Sequence, residues 1–381
     1  METNNESPQN QKAVQDTIRK YPFFIKATVV MLGLALFFYI LIILQGVLVP
    51  LCFALLIAVL LNPLVNKMMG KGLPKQLSIG IAVTLFFLFL LGLLYFLSAQ
   101  LVQFSDMWPE IKKQFGSMLQ EAQVYISKNF NISFDNQAKW LNKISSGNES
   151  VIGKTVGGFF TVAGTFILLP VYTVLFLYYK PLFQNFLLDI FDMAHSEKVA
   201  EILTDTRGAI QSYIVGLLIE MVIIAALNSV ALMIIGVKYA LLLGCIGAIL
   251  NLVPYVGGIV AIALPVIMAT IDGGGWTKPL YVIGAYTLIQ LIDNNLIVPK
   301  IVSSKVSINA LVSMVVVLLG NELWGVSGMF LSIPFIAVVK VIFDHIDELK
   351  PWGKLLGVDM PHAGLFGIRL RLIQRFFKHK K

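Results

Sequence analysis

Long apolar runs separated by short polar breaks organise this chain from end to end, and most match the roughly 20 residues a helix needs to cross a bilayer. Residues 27–61 give 35 nearly uninterrupted apolar positions, about 52 Å as one helix against a hydrocarbon core of about 30 Å. Gln45, Gly46 and Pro50 offer a break, which predicts two short passes, or one tilted helix followed by a re-entrant one. Residues 77–101 predict an outward span, and residues 156–179 its return, with Gly157, Gly158 and Gly164 as close-packing points and Pro170 as a kink. Residues 210–235 form the next run. Residues 239–271 are again too long for one helix. Asn251, Pro254, Gly257, Gly258 and Pro265 break them, predicting two limbs joined near residues 254–258, followed by a flexible outer loop at 272–275. Residues 280–298 form a further span that Pro299 and Lys300 end. Residues 310–340 form the last run, interrupted by Gly320, Asn321, Glu322, Leu323, Trp324 and Gly325. Interruptions of this kind are tolerated only inside protein or beside a wet cavity. The predicted fold class is all-α, a polytopic membrane helical bundle with broken, re-entrant helical hairpins.

The polar stretches divide the chain further. Residues 1–26 are expected to be a disordered polar N-terminus and, lacking the apolar core of a signal peptide, to leave the first run in the mature protein. Residues 27–101 make up the N-terminal membrane helices. Residues 102–156 are the extracytoplasmic segment, where Trp108, Ile111, Phe115, Met118, Leu119, Ala122 and Tyr125 recur at helical spacing and predict an amphipathic helix against the membrane domain. The transport core spans 157–346, with a charged helical connector at 180–209 on the cytoplasmic side. A basic tail at 347–381 closes the chain; from residue 361 its apolar and cationic positions predict an amphipathic helix on the anionic leaflet.

Composition supports a membrane protein: 57% of residues are hydrophobic and 13% charged, against roughly 25% charged in soluble domains. The net charge of +8 sits in short loops and the tail, so it orients the chain with both termini cytoplasmic and gives no reason to expect nucleic acid. Cys52 and Cys245 lie far apart in apolar runs, without metal spacing. His195, His345, His362 and His379 all lie outside the spans. Neither a nucleophile with its base nor a metal cluster is legible, so enzyme activity and a cofactor are not expected. No phosphate-binding glycine loop is present for ATP-driven pumping.

Chemistry concentrates in the few polar residues inside the runs, because a carboxylate at mid-helix costs roughly 2.5 to 3.5 kcal/mol on insertion scales. Glu220 lies deepest, with Asn228 two turns on and Ser212 and Gly216 two turns and one turn before it. A proton-carrying role and a protonated, hydrogen-bonded structural role are both open for it. In the span at 280–298, Tyr286, Gln290, Asp293 and Asn294 fall on one side at 100° per residue. Asp293 is about five residues, or 7.5 Å, from the end of its run, so an interfacial role is also compatible. Glu322, beside two glycines, is expected to cap N–H groups of the break. The candidate pathway comprises Glu220, Asn228, Asn251, Pro254, Gly257, Gln290, Asp293, Asn294, Asn321 and Glu322.

Gly236-Val237-Lys238-Tyr239-Ala240-Leu241-Leu242-Leu243-Gly244, running into Asn251-Leu252-Val253-Pro254-Tyr255-Val256-Gly257, resembles the signature of the autoinducer-2 exporter (AI-2E) family. Asp293-Asn294-Asn295 with Pro299-Lys300, the stretch from Gly320 to Met329 with Pro334, and Asn62-Pro63 match further family elements in order, over residues 30–345. Gly258 stands where many members carry proline, and Val253 where isoleucine is common. The resemblance implies a multi-pass transporter of the bacterial inner membrane, assembled as a homo-oligomer, with a pentamer among the assemblies it allows. Its cargo would be a small polar solute such as autoinducer-2 or, as in some members, a monovalent cation exchanged for protons. Partners are then the lipid bilayer, that solute or cation, and further copies of the chain.

Overall fold

The computed structural model describes residues 22–106, 149–191, 193–253, 257–271, 277–302 and 308–358, with short helical fragments between 116 and 128. Among these residues the chain is helical and contains no strand. Its elements are α1 (Phe23–Ile43), α2 (Gln45–Met69), α3 (Lys75–Asp106), α4 (Glu149–Ile190), α5 (Met193–Ile235), α6 (Ala240–Asn251), α7 (Gly257–Ile271), α8 (Thr277–Ile292) with a π-helical extension (Asp293–Val302), α9 (Ala310–His345) and α10 (Lys350–Leu356). Among the described residues, six helical segments are long and apolar enough to cross a membrane: α1, α2, α3, α5, α8 with its extension, and α9. The protein is a multi-pass membrane protein. The amphipathic helix expected within 102–156, the turn around Pro254 and the tail at 361–381 lie largely or wholly outside the described residues.

The first run breaks at Leu44, between α1 and α2, one residue before Gln45. Pro50 sits inside α2, so the break needs no proline at its centre. α1 belongs to a unit ending at Leu48, and its apolar side chains stand exposed along both faces, as they do on a helix surrounded by lipid. From Val49 onward a second unit holds the rest of α2 and every later element.

Within that unit α5 is the spine. Its N-terminal half packs Ala209, Ile210, Tyr213, Ile214 and Leu217 against Leu56 of α2 and Val317, Leu331 and Ala337 of α9. Its middle sets Ile224 against Ala248 of α6, Ile289 of α8 and Ile297 of the π-helical segment. Its end places Leu232 among α6, α7 and α8 through Leu243, Met268, Ala269 and Val282. A separate cluster joins α2, α3 and α4 through Leu61, Val65, Ile79, Val83 and Leu177. The connector expected at 180–209 is not a separate element: it is the end of α4 and the start of α5, 42 and 43 residues long.

Both interrupted runs fold back as hairpins. Asn251 ends α6 and Gly257 opens α7, and a side chain at Gly257 would collide with the Leu250 carbonyl. In α9 the backbone leaves helical geometry at Trp324 (φ −138°, ψ 21°) and Gly325 (φ 59°, ψ −141°). Glycine alone tolerates the second of these conformations. The consequence is a reversal: Gly320 and Gly328 face each other backbone to backbone, with Ser332 beside them, where an unbroken helix would hold residues eight apart about 12 Å from each other. Contact at that range needs two residues without side chains. The break therefore comes from Gly325 and the glycine pair. Glu322 is exposed and makes no hydrogen bond to the break among the described residues, which corrects the capping role expected for it.

Pro299 does not end its span, contrary to the pattern reading. The helix widens at Asp293 into π geometry and carries Pro299 inside it to Val302. The wider turn relieves the clash of a proline ring with the carbonyl four residues earlier.

Asn309 closes the base of the α9 hairpin, a role with no signal in the hydrophobic pattern. Its Oδ1 accepts from the Val312 N–H at 2.9 Å, and its Nδ2 donates to the Leu355 carbonyl at 2.7 Å and the Gly357 carbonyl at 3.2 Å. Its own N–H donates to the Leu356 carbonyl at 2.9 Å, so α10 is tied to the start of α9. Asn309→Ala is expected to destabilise the protein by about 2 kcal/mol, a lost cap plus two lost donations. Asn309→Asp, which keeps the cap, should fall between the two. Thermal unfolding in detergent with limited proteolysis at residues 346–358 checks the order; equal stability of all three would remove Asn309 from this role.

Candidate functional site

Four elements bring the buried polar residues together. Glu220 and Asn228 project from α5 two turns apart on its buried face; Asn251 ends α6; Tyr286 and Gln290 come from α8, and Asp293 opens the π-helical segment. Glu220 is 5% exposed, Asn228 2% and Asp293 2%. Asp293 is thus enclosed by protein.

One amide links the two acids. Asn251 Nδ2 donates to Glu220 Oε1 at 3.3 Å and to Asp293 Oδ2 at 3.1 Å, so both hydrogens of the side-chain amide go to carboxylates. Gln290 Nε2 donates to the same Asp293 Oδ2 and to Asn294 Oδ1, each at 3.3 Å. Asn294 is exposed, so Gln290 joins the buried carboxylate to a residue at the protein surface. Asp293 Oδ1, Asn228 Oδ1, Ser229 Oγ and the Tyr286 hydroxyl are buried without a hydrogen-bond partner. No lysine or arginine pairs with either acid among the described residues, and no group of three metal-ligating side chains occurs among them.

Small residues make this proximity possible. A Cβ at Gly244 would overlap Ser229, so α6 lies directly against α5. A Cβ at Gly247 would come within 3.3 Å of Asn228 Nδ2 and 3.4 Å of the Tyr286 hydroxyl. Gly258 is more telling: a Cβ there would lie 2.6 Å from Gln290 Oε1. The glycine at this departure from the family pattern leaves room for the glutamine that donates to Asp293.

Of the candidates named from sequence, Glu220, Asn251, Gln290, Asp293 and Asn294 form one hydrogen-bonded chain. Asn228 lies beside it, and Gly257 shapes the hairpin that presents Asn251. Asn321 and Glu322 are on the α9 hairpin and make no hydrogen bond to the cluster among the described residues. Pro254 is not described. The pattern reading missed Ser229, Gly244 and Gly247; serine and glycine in an apolar run carry no signal until the neighbouring helix is in place.

A multi-pass helical membrane fold with two folded-back hairpins and a buried cluster of acids and amides has the features of a membrane transporter of the permease type. The model of the AI-2E transporter family matches residues 29–348, and the chain belongs to that family. It is similar to YrrI of Bacillus subtilis, a protein with a provisional transport-protein name, at 25% identity over 81% of this chain and 89% of YrrI. It is similar to the AI-2 transport protein TqsA of Escherichia coli K12 at 25% identity over 78% of this chain and 86% of TqsA. A second Bacillus subtilis relative, YueF, whose transport-protein name is also provisional, is 25% identical over 79% of this chain and 84% of its own.

Proposed function

We propose that this protein is a secondary transporter for a small polar solute, with the Glu220–Asn251–Asp293 cluster coupling a proton or monovalent cation to the movement. One observation carries the reading: two carboxylates buried in apolar helices share a single amide donor and have no basic side chain to neutralise them among the described residues. A proton or a cation on the pair supplies the missing positive charge, since two bare carboxylates in hydrocarbon are too costly to keep. Both acids are closed off in this conformation. Access from either face then requires the α6–α7 hairpin to move against α5, which is how a carrier alternates its openings.

The name of TqsA supports autoinducer-2 as the first solute to test. Sodium/proton exchange is the second reading. The unpartnered oxygens of Asp293, Asn228 and Tyr286 favour it, because hard monovalent cations take oxygen ligands. The reading places the protein in the bacterial inner membrane with both termini cytoplasmic, as a homo-oligomer.

Purified protein in proteoliposomes with an internal pH dye separates the two. Autoinducer-2 efflux that dissipates an imposed proton gradient supports solute export; alkalinisation on adding sodium alone supports exchange. If neither addition moves protons or solute above protein-free vesicles, the transporter assignment for this cluster fails.

A further inference from the structure

Three cations gather at the polar edge of the spans, away from the buried acids. Lys75 opens α3, Lys180 follows the apolar part of α4, and Arg207 lies in the first half of α5. Lys75 Nζ donates to the Tyr178 carbonyl at 2.8 Å and sits 5.2 Å from the centroid of the Tyr178 ring. Lys180 Nζ donates to Asn62 Oδ1 at 3.0 Å. Among the described residues none of the three pairs with a carboxylate, although other basic residues do, such as Lys198 and Lys350 with Asp347. Burial, then the charge of Arg207, then that of Lys75 push the Lys180 ammonium below its ordinary pKa.

A groove of about 410 Å³ opens beside Lys75, with Gln76, Tyr178, Tyr179 and Leu182 on its walls. Beyond it α4 exposes Leu182, Phe183 and Phe186, an apolar rim continuous with the lipid-facing surface. One lysine and one glutamine on the groove wall, two tyrosines beside them and an apolar rim suit a head group with its glycerol and acyl chains attached.

We propose that Lys75, Lys180, Arg207 and the adjoining groove form a binding site for an anionic phosphate group, presented by a phospholipid of the surrounding leaflet. The site is independent of the transport reading. An anion there pairs the three cations and ties the first turn of α3 to α4 and α5.

The full chain in detergent is titrated with phosphatidylglycerol, phosphatidylcholine or inorganic phosphate, reading thermal stabilisation and retained lipid by native mass spectrometry. Phosphatidylglycerol should stabilise and remain bound, phosphatidylcholine should not, and affinity should fall about fivefold for each cation removed in Lys75→Gln, Lys180→Gln and Arg207→Gln. Lys180→Arg should retain binding, and Lys350→Gln should leave it unchanged. Stabilisation by inorganic phosphate with the same dependence on the variants also supports the site and makes its occupant a soluble anion. Arg207→Gln breaks no described hydrogen bond or ion pair, and carries the test should the lysine variants fail to fold. The proposal is overturned if neither phosphatidylglycerol nor phosphate acts on the wild type, or if binding survives Arg207→Gln undiminished.

Discussion

Replacing Asp293 by asparagine, or Glu220 by glutamine, is expected to lower coupled transport on the order of a hundredfold, the loss of a positioned proton carrier, while leaving the folded protein intact. The substitutions are isosteric. In each, the carbonyl oxygen can still accept from Asn251 Nδ2, which lies 3.1 Å from Asp293 and 3.3 Å from Glu220. What disappears is the ionisable oxygen. Thermal stability should hold or rise, because a buried carboxylate with no basic partner is expensive and an amide is not. The double variant should be no worse than either single one, since two groups joined through one amide act as a unit. Flux in proteoliposomes, with unfolding midpoints measured on the same preparations, decides the matter. Full flux in both single variants would end the coupling role, and losses that multiply in the double variant would mean that the acids act separately.

Gly328→Leu is expected to unfold the α9 hairpin at a cost of about 3 kcal/mol or more, and to abolish transport with it. The hairpin arms touch at Gly320 and Gly328, where each missing side chain would occupy the other residue's carbonyl. No rotamer avoids that collision, because the obstacle is backbone. Gly325→Ala should weaken the same hairpin less. It strains a conformation at φ 59°, ψ −141°, but its Cβ would meet nothing within 4 Å. Gly284→Ala is the control, since its Cβ would also meet nothing within 4 Å and its φ is ordinary. Unfolding midpoints should fall in the order Gly284→Ala, Gly325→Ala, Gly328→Leu. An unchanged midpoint for Gly328→Leu would show that the arms do not pack through the glycine pair.

The two hairpins differ in how far sequence could anticipate them. Gly257 and the break after Asn251 stood out because an apolar run of that length has to bend somewhere. At 320–325 the break is equally visible, but Glu322, the only charge there, does not cap it. The operative feature is a pair of glycines eight apart, a spacing that means nothing in a straight helix. Pro299 misled in the opposite direction: a proline ends a regular helix, yet this one is carried in a π-helical turn.

Hydrophobic periodicity and length by themselves determined that the chain crosses a membrane repeatedly as helices, and which few polar side chains are costly enough to matter, because burial in hydrocarbon penalises each such residue wherever it falls. Motif order determined the family. Only the tertiary structure decided that Glu220 and Asp293, 73 positions apart, share Asn251, and that Glu322 stands outside the cluster. Helical phase orients a side chain about its own axis. Which helices lie side by side depends on glycines and serines at Gly244, Gly247, Gly258 and Ser229, and their contribution exists only when a second backbone is close enough to need the space.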